Sequence, residues 1–321
     1  MMNTCTIDCI KIDKLDPPKD NSEFKKVRDF PQVFKNGVTN NLAKDLNFQT
    51  AKELLPNIKV TLGHSLCDKT GDVIECMLYD YIDYCISRKP LSAIQFNHQE
   101  GIPRNVTFTN EPIYLFQMNG QYNKSLLDFV QCPSYIEDWF KLYLPSFSRC
   151  VVDGSMHTWF FIGPENTKTE MHNDHDFVHT TIQQLDGEKR FFLISPKDYY
   201  FVTAKMGDNY FDDITFESGA GKFTAKTTTQ QDVSILQDVK LYTAEIKKHD
   251  VIYLPAEWGH YANSSSASIS VSRDFIDDRN IDQYFFSASY LSRHIPETSP
   301  FIPSEIFNSI IQETESKYTS A

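Results

Sequence analysis

No apolar run in the 321 residues approaches the roughly 20 that a membrane-spanning helix needs. The longest, such as Phe191-Phe192-Leu193-Ile194, are strand-sized, so no membrane association is expected. The first residues, Met1-Met2-Asn3-Thr4-Cys5, lack the basic-then-apolar pattern of a secretory leader. Seven scattered cysteines contain no Cys-x-x-Cys pair and form an odd total, a poor disulfide framework. The expected compartment is therefore a reducing one, the cytoplasm, with the nucleus left open. Basic charge is also short, 31 Lys and Arg against 43 Asp and Glu, for a net charge of −12. Such a surface repels phosphate backbones, which argues against general nucleic-acid binding and suits a basic peptide or protein partner. Internal repeats and low-complexity tracts are missing as well.

Aromatic residues are abundant, at 13%, from 24 Phe, 16 Tyr and 3 Trp. With 40% apolar residues overall they can fill a substantial core. Residues 6–12 alternate as a strand ended by Asp16-Pro17-Pro18, and a polar helix is predicted around 21–27. Residues 49–55 read as a helix stopped before Pro56, 58–62 as a strand, and 75–87 as a helix. Further helices are predicted at 125–129 and 136–142. The first 145 residues thus read as an α/β elaboration packed on a core that follows. From 146 to 279 the segments 156–163, 177–185, 189–195, 239–246, 250–255 and 267–275 are short, β-branched or aromatic, and split by turn residues. That spacing predicts an antiparallel sandwich or barrel. Residues 203–238 interrupt it as a polar insert, expected to be a mobile rim over the site. Residues 280–321 return to helix signals, with Ile306, Ile310 and Ile311 on one face of 303–315; a homodimer through that face is the expectation, packing on the chain's own core the alternative.

One stretch carries chemistry: Thr169-Glu170-Met171-His172-Asn173-Asp174. An imidazole and a carboxylate two residues apart at a strand end project to one side. With a second imidazole they can occupy one face of an octahedral metal and leave three positions open, the two-His-one-carboxylate arrangement of non-haem iron sites. His175 and His179, four apart on a strand-like run, are read as surface or supporting histidines and not as a helical metal pair.

Downstream come Gly187-Glu188-Lys189-Arg190-Phe191-Phe192 and then His249-Asp250-Val251-Ile252-Tyr253-Leu254-Pro255-Ala256-Glu257-Trp258-Gly259-His260. In that order the chain resembles the JmjC and cupin-like Fe(II)/2-oxoglutarate oxygenases, whose pattern runs His-x-Asp, a Gly-x-Lys-Arg strand, then Gly-Asp-Val-x-x-x-Pro-x-x-Trp-x-His. The resemblance covers most of residues 10–275 and implies a mainly β fold with flanking helices around a double-stranded β-helix, the jelly-roll core. It implies Fe(II) held by His172, Asp174 and His260, with 2-oxoglutarate and dioxygen as the other reactants. It also implies that Lys189, Thr169 and Tyr114 receive the distal carboxylate of 2-oxoglutarate. Where relatives place asparagines near the co-substrate this chain has Thr180 and Ser272, and His249 replaces a glycine. Arg273, thirteen residues after His260, is a competing carboxylate anchor, with Lys189 preferred because its flank matches.

The implied activity is hydroxylation of a C–H bond, first on a protein side chain. A small metabolite or nucleoside substrate and N-methyl-lysine demethylation are the alternatives within enzymes. A cupin-like metal-binding protein without turnover is the alternative outside them.

Overall fold

The computed structural model describes residues 4–55, 58–63, 72–97, 103–119, 129, 131–140, 158–174, 177–219, 222–227, 229, 232–284 and 286–287. The chain opens with the short strands β1 (Thr4–Ile7), β2 (Cys9–Lys11) and β3 (Lys14–Leu15), then α1 (Asn21–Phe24) and β4 (Gln32–Phe34). Two helices, α2 (Asn41–Asp45) and α3 (Phe48–Leu54), lead into β5 (Lys59–Leu62), β6 (Asp72–Met77), α4 (Leu78–Ser87), β7 (Leu91–Asn97) and β8 (Pro103–Phe108). After β9 (Leu115–Asn119) come β10 (Thr158–Gly163), β11 (Lys168–His172), β12 (His179–Asp186) and β13 (Glu188–Ile194). Then follow α5 (Pro196–Met206), the hairpin β14 (Ile214–Gly219) and β15 (Lys222–Thr227), and the closing strands β16 (Leu241–Lys247), β17 (Val251–Leu254), β18 (Gly259–Ser264) and β19 (Ser268–Phe275).

Two facing sheets make the jelly roll. One has the order β3-β4-β17-β12-β19-β10-β9, the other β11-β18-β13-β16-β2. Successive strands from β10 to β13 and from β16 to β19 alternate between the two sheets, which is the double-stranded β-helix predicted from the sequence. Strands from residues 9–34 and 115–119 extend both sheets, so the N-terminal part of the chain is woven into the core. A separate four-stranded sheet, β5-β6-β7-β8, carries α4 against it.

Both faces of each main sheet are covered, so its central strands read as continuous apolar runs and do not alternate cleanly. Between the sheets Ile182, Phe191, Leu193, Ile246, Ile252 and Leu254 pack together. Outside the larger sheet Tyr253, Val271 and Phe275 meet Phe24, Phe34 and Tyr135. Outside the smaller sheet Phe192 and Tyr261 meet Phe216 and Phe223 of the β14–β15 hairpin. Each fully buried aromatic side chain of this kind contributes about 2–3 kcal/mol by burial alone.

That hairpin corrects the expectation for residues 203–238. Where described, they hold the end of α5, two short 3-10 turns and a paired hairpin that adds β1 at its edge, with Phe211, Phe216 and Ala225 buried. The segment seals the outside of the smaller sheet, and alternating Thr, Lys and Phe on β15 produce its polar appearance by facing water every second residue. The helix predicted over 75–87 begins only at Leu78, because residues 72–77 pair with β5 and β7. Residues 136–138 are not helical. Of the predicted helix at 125–129 only residue 129 is described, and the predicted helix at 303–315, with the dimer face of Ile306, Ile310 and Ile311, lies outside the described residues. Among those residues no helix is long and apolar enough to cross a membrane.

Candidate metal and co-substrate site

His172 ends β11 and His260 is the second residue of β18, its partner strand. The two stand directly opposite each other in the ladder, with ring centroids 4.3 Å apart. Thr169 pairs with Ala262, so three residues of β11 span two of β18 and the register slips by one. Without that bulge Thr169 and His172 would face opposite sides of the sheet; with it both face inward. Gly259 precedes His260, and a Cβ there would lie 2.5 Å from Ile194 and Tyr199 side chains, so only glycine lets β18 enter here.

Asp174 Oδ1 lies 3.8 Å from His172 Nε2 and 3.9 Å from His260 Nε2. Both separations are shorter than two metal–nitrogen bonds of about 2.1 Å laid end to end, so one ion can touch all three. The histidine tautomers are fixed from behind. His172 Nδ1 lies 2.8 Å from the carbonyl of Glu170 and His260 Nδ1 3.2 Å from that of Trp258. A carbonyl only accepts, so each Nδ1 carries the proton and each Nε2 presents a lone pair inward. Asp174 is held by Thr180, whose Oγ1 donates at 2.6 Å to Oδ2 and lies 2.9 Å from Asp274 Oδ1. Among the described residues this is the one group of His, Cys, Asp and Glu placed to hold a metal ion, and its donors suit Fe(II). The side chains of His172 and Asp174 are 26% and 27% exposed against 6% for His260, so the site opens on one side.

At that opening Asn173 donates to Tyr200 Oη at 3.2 Å, and Tyr200 donates to Glu257 at 3.2 Å. This chain of bonds joins the turns that carry Asp174 and His260 through α5. The helix is started there by Ser195, which caps the Asp198 amide, and by Pro196 in its first turn.

Lys189 lies on β13 opposite Ser264, four residues along β18 from His260, roughly 13 Å at 3.3 Å per residue. Ala262 lies between them on the inner face. Lys189 is fully buried and donates to Tyr114 Oη at 3.0 Å and to Ser270 Oγ at 2.7 Å, with the Phe161 ring 5.0 Å away. The Thr169 side chain lies beside the same tyrosine hydroxyl and acts to lower its pKa. Among the described residues no carboxylate pairs with this ammonium, and burial pushes its pKa down to about 7. Burial likewise raises the Tyr114 phenol, which stays a neutral donor.

Arg273, the competing anchor, faces the other way. It points out of the barrel from β19, with Nη2 2.9 Å from Asp138 and Nη1 3.0 Å from the Thr158 hydroxyl. Strand alternation separates it from Ser270, Ser272 and Asp274, which share the inner face. Ser272 is buried there beside Ser270. Ser270 and Asp274 were not among the expected site residues, although the period-two series Ser268, Ser270, Ser272, Asp274 is the signal for a polar inner stripe. His179 is neither a surface residue nor part of the metal group: it is buried on the outer face of β12 against Asp277. His249 lies away from the site, in a left-handed turn with φ +72, its Nε2 3.1 Å from the carbonyl of Lys44. His175 lies outside the described residues.

Residues 105–279 match the family model described as the cupin-like domain. The chain belongs to the cupin-like domain family. It is also similar to the Jumonji C domain-containing protein 5 of Drosophila melanogaster, 28% identical over 150 residues. Those residues are 45% of this chain and 34% of the fly protein, so the match spans about a third of that relative. JmjC and cupin-like proteins are in general 2-oxoglutarate-dependent oxygenases and demethylases.

Proposed function

We propose that this chain is an Fe(II)- and 2-oxoglutarate-dependent oxygenase that hydroxylates a C–H bond on a protein side chain. The observation that carries the reading is Lys189. A buried ammonium with two hydroxyl groups beside it and no acidic partner among the described residues is costly unless an anion joins it. The carboxylate of a bound dicarboxylate would complete that set, while His172, Asp174 and His260 would hold the metal at its other end. Bound Fe(II) with 2-oxoglutarate and dioxygen supplies an oxidant that converts C–H to C–OH, releasing succinate and carbon dioxide.

The chain's own part is binding and orientation. Lys189 and Tyr114 orient the co-substrate by charge-assisted and neutral hydrogen bonds. Thr180 and the carbonyls of Glu170 and Trp258 keep the three ligands aimed at one point. Phe191, Leu193, Ala262 and Trp258 line the interior with apolar surface and keep bulk water out. A protein substrate is favoured by the net charge of −12, which suits a basic segment, and by the open side of the site beside the exposed Tyr200.

Purification under anaerobic conditions, metal analysis and a succinate assay test this. The expected result is iron in the protein and 2-oxoglutarate turnover that rises when a cell extract is added, with oxygen (about 16 mass units) gained by a protein in it. Oxygen gained only by a small metabolite would overturn the substrate class. Tightly held zinc and no turnover with any extract would make the chain a metal-binding protein without catalysis.

A further inference from the structure

We infer that His179 is a positioning residue for the metal site, holding the turn that carries His260 from the outer face of the barrel. The inference rests on the metal-site reading above. The ring of His179 packs beside Tyr253 and Phe275, at 6.0 and 5.3 Å between centroids, and is buried. The backbone N–H of Ala256 donates to its Nδ1 at 2.9 Å. An amide N–H only donates, so Nδ1 is the unprotonated nitrogen and the proton sits on Nε2, 3.2 Å from Asp277 Oδ1. Burial holds the imidazole below its usual pKa, which agrees with a neutral ring.

Asp277 is itself fixed. Arg28 donates to its Oδ2 at 2.7 Å and the Arg279 amide to its Oδ1 at 2.9 Å. The Tyr253 hydroxyl receives Arg279 at 2.7 Å and donates to the carbonyl of Arg28 at 3.0 Å. The ring is therefore clamped at both nitrogens, and what it clamps is the turn between β17 and β18. In that turn Glu257 takes a left-handed φ of +66, and the Trp258 amide donates to the carbonyl of Pro255 at 3.3 Å. The carbonyl of the same Trp258 fixes Nδ1 of His260. A continuous path thus runs from Asp277 through His179, Ala256 and Trp258 to a metal ligand. The next residue, Thr180, points to the opposite face and holds Asp174. One dipeptide at the start of β12 therefore positions two of the three ligands, one from each side of the sheet.

The left-handed backbone at Glu257 makes the clamp matter. A non-glycine residue there is strained and stays only when its surroundings over-determine it. Releasing Ala256 lets the turn relax, and with it the carbonyl that aims His260.

The test is cobalt(II) binding to the metal-free 321-residue chain, followed by its visible absorption. Asparagine places an acceptor where Nδ1 was, whereas glutamine reaches toward Asp277 and offers nothing to Ala256. His179→Gln is expected to weaken cobalt affinity by at least about tenfold and to alter the spectrum, while His179→Asn keeps most of both. Thermal melts of the metal-free variants separate general destabilisation, which lowers both melting temperatures together. Equal cobalt affinity in all three proteins, or an equal loss in both variants, overturns the inference. A wild-type protein that binds no cobalt would instead overturn the metal-site reading, which keeps the two failures apart.

Discussion

Replacing Lys189 by methionine keeps an unbranched side chain and removes the ammonium. In the cofactor-free protein that ammonium is desolvated, with its pKa brought from 10.5 to about 7. The displacement amounts to about 5 kcal/mol of lost solvation for the charged form relative to the amine. The unfolded chain, with a pKa near 10.5, binds one more proton than the folded chain between about pH 7 and 10.5. Stability of the cofactor-free wild type therefore rises with pH through that window, and the whole penalty is present below it. Lys189→Met should stabilise the cofactor-free protein by a few kcal/mol at neutral or lower pH, the gain shrinking as pH rises. Binding moves the opposite way. The incoming carboxylate loses its cation, at about 3 kcal/mol or roughly a hundredfold in 2-oxoglutarate affinity. Because the wild-type amine must take up a proton to receive an anion, its affinity should fall about tenfold per pH unit above about 7, and the variant's should not. Calorimetric titration of anaerobic iron-loaded protein in buffers of different ionisation enthalpy measures both affinity and proton uptake. Variant affinity within about threefold of wild type, or a wild-type affinity flat from about pH 6.5 to 8.5 without proton uptake, would refute the reasoning.

Asp174→Ala should abolish turnover and metal binding in a folded protein, measured by metal analysis and circular dichroism; retained wild-type iron affinity would remove it as a ligand. Thr180→Val should weaken metal binding by about tenfold with 2-oxoglutarate contacts intact, seen in cobalt titration. Arg273→Met leaves Asp138 buried without its cation and should cost about 3–5 kcal/mol in urea unfolding, while 2-oxoglutarate affinity of the folded fraction stays unchanged. Phe216→Ala should cost about 3–5 kcal/mol in the same assay, as a packed core residue does. If the hairpin were a loose lid, Phe216→Ala would leave stability unchanged and raise succinate formation without substrate.

Local sequence determined the strand rhythm from 158 to 275 and set His172 and Asp174 two residues apart, where alternation lets both project to one side. His260 and Lys189 were legible only through the order of the motifs in which they sit. Sequence preferred Lys189 to Arg273 only by its matching flank. The physical separation of the two comes from the sheet's two faces, which put Lys189 inside the barrel and Arg273 against Asp138 outside it. The β14–β15 hairpin looked polar and loose because half its residues face water. Its apolar half became a core only when Phe192 and Tyr261, far away in the chain, came to lie against it. The bulge in β11, which turns Thr169 and His172 to one side, leaves no mark in composition or period, since register is fixed by the partner strand. His179 read as a surface or supporting histidine with no partner named, because Ala256 and Asp277 lie 77 and 98 residues away in sequence, and only the closed sheet brings them to its two nitrogens.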